Sequence, residues 1–372
     1  MRLARWGIVF SLAIAAGVLC AQGPPPREAQ TLAEPPVPPD PLELVSSDAL
    51  PVTDSVQRAQ IIDLLVQVHH NSNVRAQPFD LKSTFTVSGS LSAGEWQEED
   101  ISPSGDFYRW TVAGPGYSTL NLTAHRLFYS SQQSTVLPLR LMQVHQAIFR
   151  PEAVVGPHAT LRIASASLDG VDLTCALVAH NAIAPATAGG RRWEEQEWCV
   201  DPKAGTLVTF SEAPGSYVHY DYSKALLFKG RLIPNGFTIT QGGETIVEAQ
   251  AASVTKPPAI PEAYQTEGLN QIGEGAAMSL SPWEFRMTFP GRSSGAQLTG
   301  TQVVALHAMQ SPQGEISDAE VLASSDPALN EAALHFATTA FRGKSAQTGA
   351  TPQSREVVLI LRYAGSPSAA VE

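Results

Sequence analysis

The last third of the chain, residues 298–363, combines short alternating apolar runs with one helical pattern, and few folds accommodate that order. Alternation predicts strands over 302–309 and 316–322, separated by a Ser-Pro-Gln-Gly turn. A helical pattern over 327–341 follows. A β-branched and aliphatic run over 356–363 then predicts a closing strand. In this order the elements predict a compact β-β-α-β unit.

The helix of this unit has recognisable ends. Asp326 is placed to cap its amino end, and Pro327 suits the first turn because a missing N–H costs nothing there. Gly343 follows the last apolar residue and predicts the carboxyl end. The apolar residues at three- and four-residue spacing are Leu329, Ala332, Ala333, Phe336, Ala340 and Phe341. We expect this stripe to pack against the sheet, with Phe336 buried.

Four stretches in this region carry a family resemblance. They are Phe289-Pro290, residues 298–304 (LTGTQVV), residues 314–316 (GEI) and residues 326–333 (DPALNEAA). In order and spacing they resemble the C-terminal domain of TonB-type energy transducers, over roughly residues 285 to 365. The resemblance implies a periplasmic domain whose last strand pairs with an extended segment of an outer-membrane receptor or another envelope transport protein.

The strand to which the resemblance assigns that contact is made of Glu356, Val357, Val358, Leu359, Ile360, Leu361, Arg362 and Tyr363. Its only charges are Glu356 and Arg362, which is little protection for an exposed sheet edge. We therefore expect this strand to lie at an edge and to bind the partner by β-strand addition.

The amino end predicts export. Arg2 and Arg5 precede an apolar run over 6–20, which is short for a membrane crossing. A cleaved signal peptide over 1–21 is the favoured interpretation, and an uncleaved helix anchored in the inner membrane is the alternative. The proline-rich residues 22–52 then predict an extended linker.

Length and charge limit the remaining possibilities. The 372 residues are 43% hydrophobic and carry a net charge of −11, which disfavours nucleic acid as a partner. The length suits two domains. The expected division is a signal peptide at 1–21, a linker at 22–52, a β-rich domain at 53–256, a linker at 257–281, a TonB-like domain at 282–365 and a disordered tail at 366–372.

Two cysteines would remain after cleavage of a signal peptide. Cys175 and Cys199 lie at the ends of predicted strands, and an oxidising compartment would let them form a disulfide. Two buried free thiols are the alternative.

The middle region predicts a curved antiparallel sheet with helices at 55–70 and 137–149. Thr53 or Asp54 could cap the first helix. The element order and the turn in residues 199–207 (CVDPKAGTL) are similar to LolA/LolB-type lipoprotein carriers. That similarity implies a half-barrel that holds acyl chains, and so a second hypothesis: a carrier with a cavity between sheet and helices.

Patterns typical of enzymes or metal sites lack the required context. Residues 291–295 match G-x-S-x-G, but the following residues predict a strand instead of the helix that a nucleophile elbow requires. The histidines lack H-x-x-x-H spacing. Glu194, Glu195 and Glu197 could form a cation site or a solvated strand face. We therefore expect an α+β binding protein of the periplasm with no catalytic residues, no metal and no cofactor.

Overall fold

We analysed a computed structural model of the chain. It describes residues 35, 37, 49–89, 92–132, 138–149, 152–153, 155–168, 170–180, 190–259, 264–274, 283–290, 300–342 and 355–364. The predicted signal peptide, the G-x-S-x-G segment and the predicted tail at 366–372 lie outside these residues.

The described residues form three α-helices. They are α1 (Ser55–Ser72), α2 (Leu139–Phe149) and α3 (Asn330–Thr339). Short 3₁₀ turns follow α1, at Val74–Ala76, and precede α3, at Pro327–Leu329. Asp54 caps α1 by accepting a hydrogen bond from the Gln57 N–H at 2.7 Å, which confirms one of the two predicted caps.

The strands of the described residues, in chain order, are β1 (Leu50–Pro51), β2 (Phe79–Val87), β3 (Gly94–Ser104), β4 (Phe107–Gly114), β5 (Tyr117–Ala124), β6 (Leu127–Ser130), β7 (Thr160–Leu168), β8 (Val171–Ala179), β9 (Gln196–Asp201), β10 (Thr206–Ala213), β11 (Ser216–Asp221), β12 (Leu226–Phe228), β13 (Arg231–Ile233), β14 (Gly236–Gln241), β15 (Glu244–Thr255), β16 (Asn270–Glu274), β17 (Trp283–Pro290), β18 (Thr301–Gln310), β19 (Ile316–Ser324) and β20 (Arg355–Ala364).

Most of these strands belong to one antiparallel sheet. Its fourteen strands follow the order β1-β7-β8-β9-β10-β11-β14-β15-β2-β3-β4-β5-β6-β16. The strands β12 and β13 form a separate two-stranded sheet, and a further sheet of four strands, which we call the second sheet, has the order β17-β20-β18-β19. The structure is therefore a mostly antiparallel β protein with few helices, in agreement with the expected α+β class.

The large sheet curls around α1 and α2. Laid flat, fourteen strands at the usual spacing would span about 65 Å, whereas two helices cover only about 20 Å. Yet Leu161 on β7 and Trp110 on β4, near opposite ends of the sheet, belong to one apolar cluster with Val68 of α1 and Val144 of α2. The two helices thus lie in the concave face of the sheet, as the element order predicted.

The expected edge position of residues 356–363 is wrong. In the second sheet β20 lies in the interior, where Leu359 pairs with Leu306 of β18 on one side and with Phe285 of β17 on the other. The added neighbour β17 runs parallel to β20 and comes from the segment before the predicted unit. The sequence of β20 does not reveal this position, because its second neighbour, β17, comes from a distant part of the chain.

Both faces of the second sheet are covered. One face packs against α3 through Leu306 and Leu359. The other face presents Val303 and Ile360 to an apolar cluster that includes Trp193, in the turn before β9, and Ala213 of β10. This double burial explains why β20 is apolar on both sides.

The buried stripe of α3 differs from the expected one. Leu329, Ala333, Ala337 and Phe341 are buried, each four residues after the last. Phe336 is only half-buried, so its predicted burial is wrong, and Ala340 is exposed. The alanines lie nearest the sheet because their small side chains allow close approach of the helix, which leaves the larger Phe336 at its flank.

Six of the described strands were not expected, namely β1, β3, β12, β13, β16 and β17. β3 was missed because its sequence, GEWQEEDISPS, is charged and polar. β1 and β16 fall inside the predicted linkers at 22–52 and 257–281, and each pairs with a strand of the large sheet. The proline-rich segment also contacts the fold, since Pro35 accepts a hydrogen bond from the Trp193 indole at 2.9 Å.

Cys175 and Cys199 lie directly opposite each other on β8 and β9. Their sulfur atoms are bonded, and their Cα atoms are 3.9 Å apart. Among the helices that the structure describes, none has the length and apolar character that a membrane crossing requires.

Candidate functional site

The concave face of the large sheet is the candidate site, and α1 is its outer cover. Only Leu65, Val68 and Ser72 of the eighteen residues of α1 are buried. Two exposed valines, Val56 and Val66, lie on the same helix. α1 therefore shields the sheet while burying little of its own surface.

Polar tethers hold α1 in place, and each ends on a backbone carbonyl. Arg58 donates to the Gly156 oxygen at 2.9 Å, and Asn71 donates to the Gly205 oxygen at 3.3 Å. Arg231 of β13 donates to the carbonyl of His70. Contacts of this kind can break and re-form without leaving a buried charge on the helix.

A small cavity lies beneath α1. Its lining residues are Leu65, Val68, His69, Ser72, Ala153, Trp198, Val200 and Leu207. Its volume of 10 Å³ holds about one water molecule. The cavity expected between sheet and helices is thus present beneath α1 but nearly filled, and a larger occupant requires α1 to move.

By contrast, α2 is embedded. Every residue of α2 except Gln146 is buried, including Arg140, Gln143 and His145. Buried polar side chains require hydrogen-bond or ionic partners, so we expect polar residues around these three positions of the helix.

His145 belongs to a buried polar cluster with residues of β3 and β4. Its Nδ1 lies 2.7 Å from Glu98 Oε1 and 3.8 Å from Asp100 Oδ1. Trp110 donates to Glu98 Oε1 at 2.6 Å, and the Tyr108 hydroxyl donates to Asp100 Oδ1. We call Glu98, Asp100, Tyr108, Trp110 and His145 the acidic cluster.

Burial dominates the ionisation of the acidic cluster. It raises the pKa of Glu98 to about 8, and with the charge of Glu98 it raises the pKa of Asp100 to about 8. Burial, assisted by Arg75, lowers the pKa of His145 to about 4. At neutral pH the carboxyl groups therefore hold protons and the imidazole is neutral.

Arg140 and Gln143 belong to a second buried cluster, between the two sheets. Arg140 forms an ion pair with Glu320 of β19 at 2.7 Å. Gln143 lies 3.3 Å from Nδ1 of His307 on β18, and Nε2 of that histidine lies 3.2 Å from Glu356 of β20. We call these five residues, together with Gln241, the inter-sheet cluster.

The tryptophan-flanked glutamates are neither a cation site nor a solvated face. Glu195 is buried and receives two hydrogen bonds from Arg162, at 2.7 and 2.9 Å. Glu197 is also buried, with Arg191 3.5 Å away. Both glutamates therefore form buried ion pairs, Glu195 with Arg162 of β7 and Glu197 with Arg191. Glu194, which precedes them, is partly exposed.

Sequence reasoning did not single out Glu98, Asp100, His145 or His307. One signal was present, since Arg140, Gln143 and His145 interrupt the otherwise apolar helix at 139–149. The acids of β3 looked like part of a solvated segment, because burial of a charged strand cannot be recognised from its own residues.

Comparison with known proteins gives no family assignment. No family model matches the chain, and no curated protein matches it. Among solved structures, a LolA superfamily protein from Nitrosomonas europaea is 11% identical, over 54% of this chain and 94% of its own, with a TM-score of 0.35. A candidate outer membrane lipoprotein-sorting protein domain from Vibrio parahaemolyticus is 7% identical, over 52% and 91%, with a TM-score of 0.33.

A third solved structure, LprF from Mycobacterium bovis, is 11% identical over 55% of this chain and 96% of its own, with a TM-score of 0.23. Each TM-score lies below 0.5, so we infer function from the residues of this chain. The Nitrosomonas europaea protein is described as a LolA superfamily protein, and the sequence of the middle region was found to be similar to LolA/LolB-type carriers. None of the three structures is described as a TonB-type protein.

The expected role of the terminal unit in receptor coupling is wrong. The strand assigned to the partner contact is paired on both sides. A peptide cannot add to β20, because its backbone groups already bond to β17 and β18.

Proposed function

We propose that this protein is an exported, periplasmic carrier that binds an acyl chain between α1 and the concave face of the large sheet, without catalysing a reaction. The observation that carries this proposal is the shallow seating of α1 over an apolar surface. Leu65 and Val68 are its only buried apolar side chains, and the cavity lies directly beneath them.

Approximate energies favour exchange of these contacts for a ligand. Uncovering two aliphatic side chains costs about 3–6 kcal/mol, whereas burying ten methylene groups contributes about 8 kcal/mol. An acyl chain of ordinary length can therefore displace α1. α2 is held by buried polar groups and stays in place, and Trp198, Val200 and Leu207 of β9 and β10 line the cavity opposite α1.

The signal-like amino end and the bonded cysteines support the compartment, because disulfides persist where the environment is oxidising. The acyl chain could come from a free lipid or from an acylated protein. Both present the same methylene surface to the cavity residues.

The test is titration of the full chain with two probes, a fluorescent fatty acid and a fluorescent triacylated peptide. Saturable binding of either probe is expected, and the tighter one identifies the source of the chain. A nitroxide-labelled fatty acid should also quench Trp198, which lines the cavity, so Trp198→Phe should lose that part of the quenching.

The cover is tested by a matched pair of variants on α1. Leu65→Ala removes a buried contact and should speed association of the probe several-fold, whereas Val66→Ala, at an exposed position, should not. Circular dichroism would verify that both variants fold. If neither acyl probe binds saturably, the carrier function is excluded.

A further inference from the structure

The acidic cluster contains a set of metal-ligand side chains whose role the carrier function does not explain. Glu98 and Asp100 are two residues apart on β3 and therefore project from the same face of the strand. His145 reaches them from α2. One possible ligand atom from each of the three residues lies within 4.8 Å of the other two.

Two carboxylate oxygens in this set are left without hydrogen bonds. Glu98 Oε2 and Asp100 Oδ2 are buried and have no hydrogen-bond partner in the described part of the chain. Glu98 is 3% exposed and Asp100 is 0% exposed, so bulk water does not reach them. Buried oxygens of this kind are costly unless a proton or a cation satisfies them.

The neighbouring arginine does not serve as that cation. Arg75 lies 3.4 Å from His145 Nε2, and its guanidinium stacks 3.8 Å from the Phe149 ring. Among the described residues, no ion pair joins Arg75 to Glu98 or Asp100. The two acids therefore face one another and an imidazole, with no direct positive partner.

We propose that Glu98, Asp100 and His145 bind a divalent transition-metal ion, with Zn²⁺ as the best match. Carboxylate oxygens and imidazole nitrogens both bind zinc, and three protein ligands leave a fourth tetrahedral position for a water molecule. Ca²⁺ and Mg²⁺ fit less well because they prefer sets made only of oxygen atoms.

The charges of the ligands match that of the ion. The carboxyl groups bind a metal in their ionised form, so their two negative charges offset the double positive charge of the ion. His145 would bind through Nδ1, while its Nε2 lies 3.2 Å from the Tyr108 hydroxyl and 3.4 Å from Arg75. Tyr108 in turn contacts Asp100, so the second ring nitrogen has polar partners, as is usual for a histidine that binds a metal.

The ion would join α2 to β3, because its ligands come from the helix and from that strand of the sheet. Its role is structural. It is independent of acyl binding beneath α1, so either proposal can fail without the other.

The test uses the full chain, free of affinity tag and treated with a chelator, then titrated with Zn²⁺ and with Co²⁺ as a spectroscopic substitute. We expect binding of one ion per chain, a rise in melting temperature that saturates at one equivalent, and visible Co²⁺ absorption bands. Co²⁺ should also quench Trp110, whose indole bonds to Glu98, and Trp110→Phe should retain binding while losing that quenching.

Asp100→Asn preserves the shape of the ligand and should reduce Zn²⁺ affinity at least tenfold. Glu95→Gln, at an exposed position on the same strand, should bind as the parent does. The wild-type titration decides the matter even if Asp100→Asn does not fold. Absence of saturable binding to the folded parent would show that the two carboxyl groups hold protons only, and the metal site would be rejected.

Discussion

His307 shows how strongly a single buried residue depends on its neighbours. Burial disfavours its charged form, but hydrogen bonds and charge from Glu320 and Glu356 outweigh burial and raise its pKa to about 9. Arg140 on the far side of Glu320 lowers the pKa of that acid, together with His307, in spite of burial. The imidazolium is therefore a cation shared by two strands.

This shift predicts a pH dependence of stability. The folded-state pKa of about 9 exceeds the unfolded value of about 6.5, so the contribution of His307 is complete below pH 6.5. It is lost as pH rises towards 9, by on the order of 3 kcal/mol. Urea unfolding of the wild type at pH 6, 7.5 and 9 should show this decline.

In His307→Gln the decline over the same pH range should be absent, whereas His335→Gln, at an exposed position on α3, should follow the wild type. Equal slopes for the wild type and His307→Gln would contradict the assignment. The polar groups around His307 are the same in both proteins: Glu320, Glu356, Gln143 and Gln241 face its ring, and Arg140 contacts Glu320.

The alanines of α3 provide a second test at single residues. Ala337 is fully buried against the terminal sheet, so Ala337→Leu should destabilise the fold by about 1–3 kcal/mol through overpacking. Ala340→Leu, at an exposed position, should change stability by less than about 0.5 kcal/mol. Thermal unfolding of the two variants separates this register from the one predicted by the sequence, which would reverse their order.

At the scale of elements, α1 and α2 differ in how they are held. α1 has three buried residues and tethers to carbonyl groups, whereas α2 is buried almost throughout and contributes to two polar clusters. Local opening free energies follow burial of this kind.

Amide hydrogen exchange should therefore be faster along α1 than along α2. Leu65→Ala should increase exchange further in α1 and leave α2 unchanged, because the contact it removes belongs to α1 alone. Equal protection of the two helices in the wild type would mean that α1 is not a movable cover.

The bond between Cys175 and Cys199 joins the neighbouring strands β8 and β9 across a separation of 24 residues. Closing a loop of this size should stabilise the fold by about 3 kcal/mol. The double variant Cys175→Ser/Cys199→Ser should lose that amount in urea unfolding, and a reductant should lower the stability of the parent but not of the variant. A parent that is insensitive to reductant would contradict the prediction.

At the scale of the whole molecule, the two sheets are joined by apolar and polar contacts. Trp193 and Leu322 belong to one apolar cluster, and a β-carbon on Gly215 would overlap the Leu322 carbonyl oxygen. Gly215 also has a φ of +78°, so glycine suits this turn for both reasons. The inter-sheet cluster adds the ion pair of Arg140 with Glu320.

Arg140→Met should keep the packing of the stem and remove the ion pair between the sheets. We expect a loss of about 1.5–3 kcal/mol, because Arg140 is buried and the variant loses its charged hydrogen bonds to Glu320 and Gln241. Lys203→Met removes an exposed pair with Asp172 and should change little. Equal stability of the two variants would show that the ion pair does not help to hold the sheets together.

Several elements could be predicted from local sequence. The α2 helix and most strands of the large sheet follow their apolar periodicity, and Asp54 and Asp326 are the caps that their positions indicated. β3 could not be predicted in this way, since its buried acids look the same in the sequence as solvated ones. The candidate site was predictable only as a curved sheet with two helices.

By itself, the sequence determined the three helices and most of the strands, because periodicity, capping and turn residues act over a few neighbouring positions. Only the tertiary structure decided that β20 is interior, that Glu98 and Asp100 face His145, and that α1 covers a nearly filled cavity. Strand order and the burial of charge depend on partners that are distant in the chain. Those partners become neighbours only when the large sheet curls around its helices.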